Sequence, residues 1–475
     1  MGIKRKKDRF APAYHLYVDR GWLNDPCGCS EYGGEYHVFF QYHENPSPEG
    51  PGKWYHMKSE DLIRWQEYGI CLSPEMPWEA GGCWTGSALE FEGKHLLFYS
   101  TNLDGRIPQQ QPGLAVSEDG IMYRKWDENP VIVGKTPDGH TEMRDPKVFR
   151  RGNLFYLLQG SARDGKAEIV GYSSQDGRNW TYRGIFFRSE KWTGDMYECP
   201  DFFSIGRTDF LLVSPMHWEG HKNVLLCGKA DFRSFSFRCD KIVDLDLGSD
   251  FYAAQSIALK GGRIGIIGWL GNWGKPHPEE KMGWAGMLSC LRVLHFDEGS
   301  GEVSFCPAEE LRQLWARESW KHSLRAGEKV ERIRKSLHED IEVSNIRTLS
   351  DPGKRAVLYL AVEGENDTAV RLRLDFENDL VEVDKTLAQE GDNSCRLIRT
   401  GLGEVEEIRI LIDGSALELF LGNGAVISER IYPGTERNRI VFRSEGGVEC
   451  DLEGKEMQSL YSWQEEEMCA ARDDS

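Results

Sequence analysis

A β-hairpin pattern that recurs along the first two thirds of the chain is the strongest constraint on its fold. Each copy joins two apolar segments through a glycine-containing turn, as in CSEYGGEYHVFFQY. The turn glycines follow one another at intervals of 59, 59, 54 and 55 residues. Such a regular period predicts one structural unit repeated five times. The turn glycines are Gly34, Gly93, Gly152, Gly206 and Gly261.

The length of the period indicates what each unit contains. Four strands of about five or six residues with their turns fill such an interval, and this is the content of one β-propeller blade. Helical periodicity is nearly absent from this region, and strand-like segments such as IVGYSS fill the intervals. The sequence therefore predicts an all-β fold with a five-bladed β-propeller over residues 10–310.

The rest of the chain predicts a second domain. Residues 311–324 are expected to form a connector that is largely helical, because Leu311, Leu314 and Trp315 fall on one side of a helix. Cleanly alternating segments such as VRLRLDF then predict a β-sandwich over residues 325–465. Residues 1–9 are expected to be a basic, solvated tail, and residues 466–475 an acidic tail.

Charge and cysteine content exclude several classes of protein. The 475 residues include 58 Lys and Arg against 77 Asp and Glu, a net charge of −19, which disfavours nucleic acid and anionic lipid as partners. No apolar run has the length of a membrane span, and the basic start has none of the features of a signal peptide. The 12 cysteines include no C-x-x-C pair and are expected to be reduced thiols, which predicts a cytoplasmic location.

Acidic residues stand where the recurring hairpins begin. Counted back from the turn glycines, Asp25 is nine residues away, Asp145 seven, Glu198 eight and Asp250 eleven. Prolines follow at 26, 146 and 200 and favour extended backbone before them. If these strands are the innermost ones of their blades, the carboxyl groups converge on one mouth of the central channel.

Clustered carboxyl groups suit either a metal or a glycosidic bond. No histidine stands beside the acids at ligand spacing, so no metal and no cofactor is predicted, although calcium with oxygen ligands remains an alternative. Trp22, Trp54 and Trp84 adjoin polar groups, as expected where flat rings cover sugar faces. The sequence therefore favours a small carbohydrate as the substrate.

The blocks that carry these acids resemble a known family. In order they are WLNDPCG, WTGSA, MRDPKVF, YECPDFF and DLGSDFYA, followed by CPAEELRQL and by IRILIDGSALELFLGNGAVISERIYP. They are similar to the signature blocks of glycoside hydrolase family 32, the invertases and β-fructofuranosidases. The resemblance covers roughly residues 10–465 and implies a propeller followed by a sandwich.

The resemblance also implies roles for the three acids. It makes Asp25 the nucleophile, Asp145 the transition-state stabiliser and Glu198 the acid/base. In a retaining mechanism one carboxylate attacks the anomeric carbon, here C2 of a fructosyl unit, while the second carboxyl group protonates the leaving oxygen. Water then releases fructose from the covalent intermediate.

Other positions are assigned by the same resemblance. Cys199 is expected to tune the adjoining Glu198 carboxyl group through packing and a weak S–H contact. Arg144 is expected to bind substrate hydroxyls and to keep a neighbouring aspartate ionised. The residues expected to bind the fructosyl unit or the leaving sugar are Asn24, Gln41, Trp84, Thr85, Arg144 and Asp246.

Three positions depart from the family pattern. Cys27 replaces an asparagine of the N-D-P-N-G block, and Glu49 stands where the family commonly has the first tryptophan of W-G-x-x-x-W. The segment SCLRVL at 289–294 replaces P-R-E-L, so an ion pair cannot be assumed there. The replacement at Cys27 affects the shape of one turn, and the replacement at Glu49 affects one wall of the predicted pocket.

The resemblance thus implies a retaining hydrolase that releases β-fructosyl units from sucrose or short fructo-oligosaccharides. Hydrolysis of sucrose-6-phosphate and transfer of the fructosyl unit to another sugar are alternatives. An inactive fructan-binding protein is an alternative from another class. An inverting five-bladed hydrolase of arabinose polymers would also place three acids in the channel, but it would lack the C-terminal hallmark strands and the NDP context. A homo-oligomer is compatible with the sequence.

Overall fold

Strands make up most of the structure, a computed structural model that describes residues 3–6, 8–334, 337–349, 356–364, 368–432 and 438–464. Within these ranges every helix is a short 3₁₀ turn. The five turns lie at Pro77–Glu79, Lys260–Gly262, Pro278–Met282, Glu309–Leu314 and Leu402–Glu404.

Five antiparallel sheets follow one another along the chain, and the innermost strand of each contacts that of the next until the ring closes. This arrangement confirms the five-bladed propeller. The first strand, β1 (Ile3–Lys6), precedes the propeller. The first blade contains β2 (Gly21–Tyr32), β3 (Glu35–His43), β4 (Lys53–Ser59) and β5 (Trp65–Leu72), and the second contains β6 (Gly82–Phe91), β7 (Lys94–Asn102), β8 (Gln110–Ser117) and β9 (Arg124–Lys125). The third blade contains β10 (Glu142–Arg151), β11 (Leu154–Arg163), β12 (Lys166–Ser174) and β13 (Thr181–Arg188), the fourth contains β14 (Met196–Ile205), β15 (Thr208–Met216), β16 (Val224–Asp231) and β17 (Ser236–Asp244), and the fifth contains β18 (Tyr252–Leu259), β19 (Arg263–Leu270), β22 (Arg292–Asp297) and β23 (Glu302–Pro307).

The five glycines that revealed the repeat all lie in the turn after an innermost strand. Each has a positive φ, between 53° for Gly206 and 86° for Gly34. Tight hairpin turns require this left-handed conformation, which glycine adopts without steric cost. Two further short strands complete the ring, since β20 (Trp284–Ala285) runs parallel to β2 and β21 (Met287–Leu288) pairs with β19.

The second domain is the predicted β-sandwich, built from two six-stranded sheets around an aliphatic core. Its strands are β24 (Trp315–Leu324), β25 (Lys329–Arg334), β26 (His338–Thr348), β27 (Val357–Glu363), β28 (Ala369–Asp375), β29 (Leu380–Leu387), β30 (Cys395–Arg399), β31 (Ile408–Asp413), β32 (Ala416–Leu421), β33 (Val426–Arg430), β34 (Asn438–Glu445) and β35 (Val448–Met457). The last strand, β36 (Tyr461–Gln464), pairs in parallel with β1.

The connector is shorter than predicted. Only residues 309–314 form a helical turn, and residues 315–324 are strand β24, which pairs with β35 of the sandwich. The prediction of a helical connector over 311–324 was therefore wrong for most of its length. The burial of Leu311 and Leu314 that suggested a helix is real, but a single 3₁₀ turn supplies it.

The basic start of the chain is not a solvated tail over its whole length. Arg5 in β1 is 3% exposed, and its guanidinium donates to the Glu67 carboxylate at 2.8 and 3.0 Å and to the Tyr17 carbonyl. A buried cation with a carboxylate partner holds this segment on the first blade. The predicted acidic tail, residues 466–475, lies outside the described residues.

The two domains share a hydrophobic core. Phe10, Phe210 and Leu294 from the N-terminal segment and propeller pack in one cluster with Leu411 and Phe420 of the sandwich. In the described part of the chain, no helix has the length and apolar character needed to cross a membrane. The eleven described cysteines are free thiols.

Candidate active site

A β-bulge near the start of every innermost strand shapes one end of the channel. The pairing register shifts between Leu23 and Pro26 in β2, and equivalent shifts occur in the other four inner strands. A bulge bends a strand and re-aims its side chains. The left-handed φ values of Asp145 (56°), Cys199 (49°) and Ala253 (53°) mark three of these bulges. Asp25, Asp145 and Glu198 lie together at this bulged end, whereas Asp250, which was expected to join them, does not.

Asp25 lies in the bulge of β2 and accepts hydrogen bonds from two blades. Asn24 Nδ2 donates to its Oδ1 at 3.0 Å, and Thr85 Oγ1 of the second blade donates to its Oδ2 at 3.1 Å. Asn24 is in turn held by Trp22, whose Nε1 donates to the Asn24 Oδ1 at 3.1 Å. The carboxylate is therefore fixed in one orientation.

Asp145 lies in the bulge of β10 and is 5% exposed. The backbone N–H of Cys199 in the fourth blade donates to its Oδ2 at 2.9 Å, and its own N–H donates to Ser100 Oγ at 2.9 Å. Contacts with the second and fourth blades thus fix both the backbone and the side chain of this residue.

Glu198 at the start of β14 accepts hydrogen bonds at both carboxylate oxygens. Arg144 Nη1 donates to Oε1 at 2.8 Å, and the Tyr252 hydroxyl group of the fifth blade donates to Oε2 at 2.7 Å. Arg144 therefore pairs with Glu198 directly. Sequence reasoning missed Tyr252, although the DLGSDFYA block that contains it was identified.

The protonation equilibria of the two aspartates are shifted by burial and by shared negative charge. Burial, and then the charge of Glu198, raise the pKa of Asp25 to about 6, while hydrogen bonds from Asn24 and Thr85 oppose the rise. Burial and the Glu198 charge raise the pKa of Asp145 to about 7, against the attraction of Arg144. Shifts of this size are common at functional sites.

Cys199 contacts a different acid from the one expected. Its Sγ lies 3.7 Å from Asp25 Oδ2, whereas the prediction directed the thiol to Glu198. The left-handed backbone at Cys199 points its side chain back toward the first blade. Burial raises the pKa of the Cys199 thiol well above its usual range, so the thiol is protonated and serves as a weak donor.

Gln41 lies beneath the loop whose family pattern is altered. Gln41 is 4% exposed, and its buried Nε2 has no hydrogen-bond partner among the described residues. Gly52 of this loop leaves space for Gln41, because a Cβ at Gly52 would stand 2.8 Å from Gln41 Oε1. Glu49 itself is exposed in the same loop.

The tryptophans expected at sugar faces divide into two groups. Trp22 and Trp54 are 2% and 0% exposed and belong to the core, so their predicted contact with sugar was wrong. Trp84 is 38% exposed, and Trp273, which was not singled out, is 51% exposed. The Trp273 ring stacks on Trp22 with centroids 5.8 Å apart. The signal for Trp273 was the WLGNW segment directly after the fifth hairpin.

Asp246 does not line the channel mouth. Its carboxylate pairs with the Arg292 guanidinium at 2.8 Å and accepts from the backbone N–H groups of Gly248 and Ser428. Arg292 also pairs with Glu418 of the sandwich at 2.7 Å. The predicted sugar contact of Asp246 was therefore wrong, because the docked sandwich takes up this carboxylate. The same contacts show that SCLRVL does supply an ion pair.

A set of metal-ligating atoms occurs elsewhere in the described chain. His15, Cys290 and Glu418 bring one such atom each within 4.8 Å of one another. The His15 imidazole lies between the carboxylates of Asp413, at 2.8 Å, and Glu418, at 2.9 Å, so hydrogen bonds and ion pairs already occupy these groups.

The fold and the site together define the class of protein, a five-bladed β-propeller with a C-terminal β-sandwich and a cluster of carboxyl groups at one channel mouth. Sequence comparison is more specific. The models of the glycosyl hydrolases family 32 N-terminal domain and family 32 C terminal match residues 15–307 and 318–464. The chain belongs to glycosyl hydrolase family 32.

Individual relatives agree with this assignment. A sucrose-6-phosphate hydrolase of Escherichia coli is 29% identical over 474 residues, which cover 94% of each chain. A raffinose invertase of Escherichia coli is 29% identical over 458 residues, 92% of each chain. Among solved structures, a GH32 beta-fructofuranosidase of Bombyx mori superposes with a TM-score of 0.83 at 28% identity, over 96% of each chain.

Proposed function

We propose that this protein is a retaining β-fructofuranosidase that hydrolyses sucrose or short fructo-oligosaccharides. The observation that carries the proposal is the set of carboxyl groups of Asp25, Asp145 and Glu198, which three inner strands hold at the same bulged end of the channel. The family supports the assignment, since its relatives are named for sucrose-type substrates. A mutant of the Bombyx mori enzyme has also been solved in complex with sucrose.

The hydrogen bonds of each acid suit a distinct step. Asp25, oriented by Asn24 and Thr85, attacks C2 of the fructosyl unit and forms the covalent intermediate. Glu198, held by Arg144 and Tyr252, protonates the leaving oxygen and then takes a proton from the attacking water. Asp145 binds ring hydroxyls, and its negative charge favours the oxocarbenium-like transition state.

A cavity lined by Arg144, the ion-pair partner of Glu198, offers space for the leaving sugar. It has a volume of about 640 Å³ and lies between the third and fourth blades, where Arg144 forms part of its wall. Glu142, Arg163, Asp195 and His217 also line it, so charges of both signs face the space. This mixed lining suits the hydroxyl groups of a neutral sugar better than a phosphate group.

Three further properties belong to the same proposal. The substrate-binding roles of Asn24, Gln41, Trp84, Thr85 and Arg144 remain predictions, as does the possibility of a homo-oligomer. The cytoplasmic location also remains a prediction, and the free thiols support it.

The first test is chromatographic product analysis with sucrose, 1-kestose and sucrose-6-phosphate. We expect equimolar fructose and aldose from sucrose, and a loss of kcat of more than about 10⁴-fold in Asp25→Asn. Asp231→Asn, on the exposed outer part of the fourth blade, is the matched control and should retain activity. No release of fructose from any of the three sugars would refute the proposal, and preferential cleavage of sucrose-6-phosphate would instead favour the phosphorylated substrate.

A second test separates the two catalytic roles. Glu198→Gln should lower kcat for sucrose by about 10²–10⁴-fold, because the leaving glucose needs a proton. With p-nitrophenyl β-fructofuranoside the formation of the intermediate should be much less affected, since nitrophenolate leaves without protonation. Equal loss on both substrates would argue against Glu198 as the general acid.

A further inference from the structure

A cluster of buried and partly buried charges joins the sandwich to the propeller near the candidate active site. Lys275 Nζ, on the loop after β19, lies 3.0 Å from Asp250 Oδ1 and 2.7 Å from Asp392 Oδ2 of the sandwich. Lys385 Nζ of the sandwich lies 2.6 Å from Glu429 Oε2 and 3.4 Å from Asp250 Oδ2. Asp250, expected from its hairpin to face the channel, is thus turned toward the second domain.

One path of contacts leads from this cluster to the acid/base. Asp250 Oδ2 accepts a hydrogen bond from the backbone N–H of Arg430 in the sandwich at 2.8 Å. Two residues later the chain reaches Tyr252, whose hydroxyl group donates to Glu198. The sandwich therefore anchors the segment that presents the Tyr252 hydroxyl group.

A second path leads to the nucleophile. Lys275 is two residues beyond Trp273, and Asn272 Nδ2, on the other side of Trp273, donates to the Ser249 carbonyl at 2.9 Å. Trp273 stacks on Trp22, which holds Asn24, and Asn24 holds Asp25. The half-exposed ring is thereby placed beside the fructosyl pocket.

We infer that Lys275 and Asp392 are positioning residues through which the sandwich sets the geometry of the fructosyl pocket. The inference rests on the proposed function, because fructosyl release is its readout. The Lys275–Asp392 pair, with both side chains 18% exposed, adds little net stability, since desolvation and solvent screening offset most of the attraction, but it does specify one arrangement of the groups that it joins. A shift of the Trp273 loop would leave both domains folded and alter the pocket.

The test begins with Asp392→Asn, which removes the carboxylate that Lys275 shares with the sandwich. We expect KM for sucrose to rise about three- to tenfold with a smaller change in kcat. The matched control is Glu342→Gln, which removes an ion pair of 2.7 Å between Arg312 of the connector and the sandwich. The two variants should have similar thermal midpoints, and the control should keep the wild-type KM.

Double variants then identify the path. In a Trp273→Ala background, Asp392→Asn should cause no further rise in KM, because the ring that it positions is already absent. In a Tyr252→Phe background the rise should persist. A full additional rise in KM in the Trp273→Ala background would overturn the route through Trp273.

Two further outcomes are decisive. If Asp392→Asn does not fold, Asn272→Ala frees the same loop from its other anchor and should raise KM in the same direction. Unchanged KM in a folded Asp392→Asn protein, with active wild type, would refute the inference alone. Inactive wild type on every fructoside would refute the proposed function.

Discussion

At the scale of single residues, the three acids differ in the donors that surround them. Asp25 accepts side-chain hydrogen bonds from Asn24 and Thr85, whereas Asp145 accepts one from a backbone N–H group. Glu198 accepts from a guanidinium and from a phenol. Hydrogen bonds to the ionised form lower a carboxyl pKa, so the donors at Asp25 and Asp145 oppose the rise in pKa that burial causes there.

Thr85→Val tests this control at Asp25. The substitution removes a hydrogen bond that lowers the pKa of Asp25, so that pKa should rise above its value of about 6. One hydrogen bond corresponds to roughly 0.5–1 pH unit. Because Asp25 must be ionised to act as the proposed nucleophile, the acid limb of the kcat/KM profile should move to higher pH by up to that amount. Activity at pH 5 should fall more than activity at pH 8.

Thr181→Val, on the exposed outer strand of the third blade, is the control for that experiment. This variant should have the wild-type pH dependence of kcat/KM. An acid limb that does not move in Thr85→Val would show that another ionisation governs the acid side. Burial and the charge of Glu198 raise the pKa of Asp145 to about 7, so ionisation of Asp145 also contributes to this limb.

At the scale of secondary-structure elements, close packing between neighbouring blades positions the bulges. Gly160 in β11 lies opposite Arg144 in β10. A Cβ at Gly160 would stand 1.9 Å from the carbonyl oxygen of Tyr197, the residue before Glu198. Only glycine allows the third blade to approach the backbone of the fourth blade this closely.

Gly160→Ala should therefore displace the start of β14 and with it Glu198. We expect a loss of about 1–3 kcal/mol in the free energy of unfolding, from overpacking. A fall in kcat at temperatures where the variant is folded should accompany it. Urea denaturation and steady-state kinetics measure the two effects.

Gly152→Ala is the matched control for Gly160→Ala, since it has open space around its Cβ but a positive φ of 62° at the hairpin turn. Backbone strain should cost it about 1–2 kcal/mol. Its kcat should be unchanged. Loss of kcat in both variants would show that instability, and not displacement of Glu198, reduces the activity.

At the scale of the whole molecule, two sets of buried histidines respond to pH in opposite directions. His37, His56 and His95 pack together in the first two blades, and burial lowers their pKa values to about 4, 2 and 3. His15, between Asp413 and Glu418, has a pKa raised well above its usual range. The contribution of His37, His56 and His95 to the free energy of unfolding is fully present above pH 6.5 and is lost as the pH falls. The contribution of His15 is present below pH 6.5 and is lost as the pH rises through the pKa of His15 in the folded protein.

His95→Gln isolates one member of the first set. Comparison of wild type with the variant cancels the titrations that the two proteins share. The difference between their free energies of unfolding should decrease by about 1.4 kcal/mol per pH unit as the pH falls from 6.5 to 5. Urea denaturation at several pH values measures it. A difference that does not depend on pH would contradict a neutral, buried His95.

The repeating architecture was determined by the sequence alone. Hairpin turns, strand alternation and the period of the glycines are local properties, because a tight turn requires its glycine and a half-buried strand requires its alternation. The acidic residues at the starts of the hairpins can also be read directly from the sequence. The signature blocks identified Asp25, Asp145 and Glu198 as a group. The five blades, the sandwich and the resemblance to the family followed from these features.

Only the tertiary structure decided where particular side chains point. Asp250 precedes its hairpin as the channel acids precede theirs, and the resemblance made Asp246 a sugar contact, but docking of the sandwich directs both into ion pairs with Arg292, Lys275 and Lys385. Trp273 is half exposed, although neighbouring Trp269 is fully buried. The sequence specifies each strand, but the direction of a side chain at a strand end depends on bulges and on contacts between residues far apart in the chain.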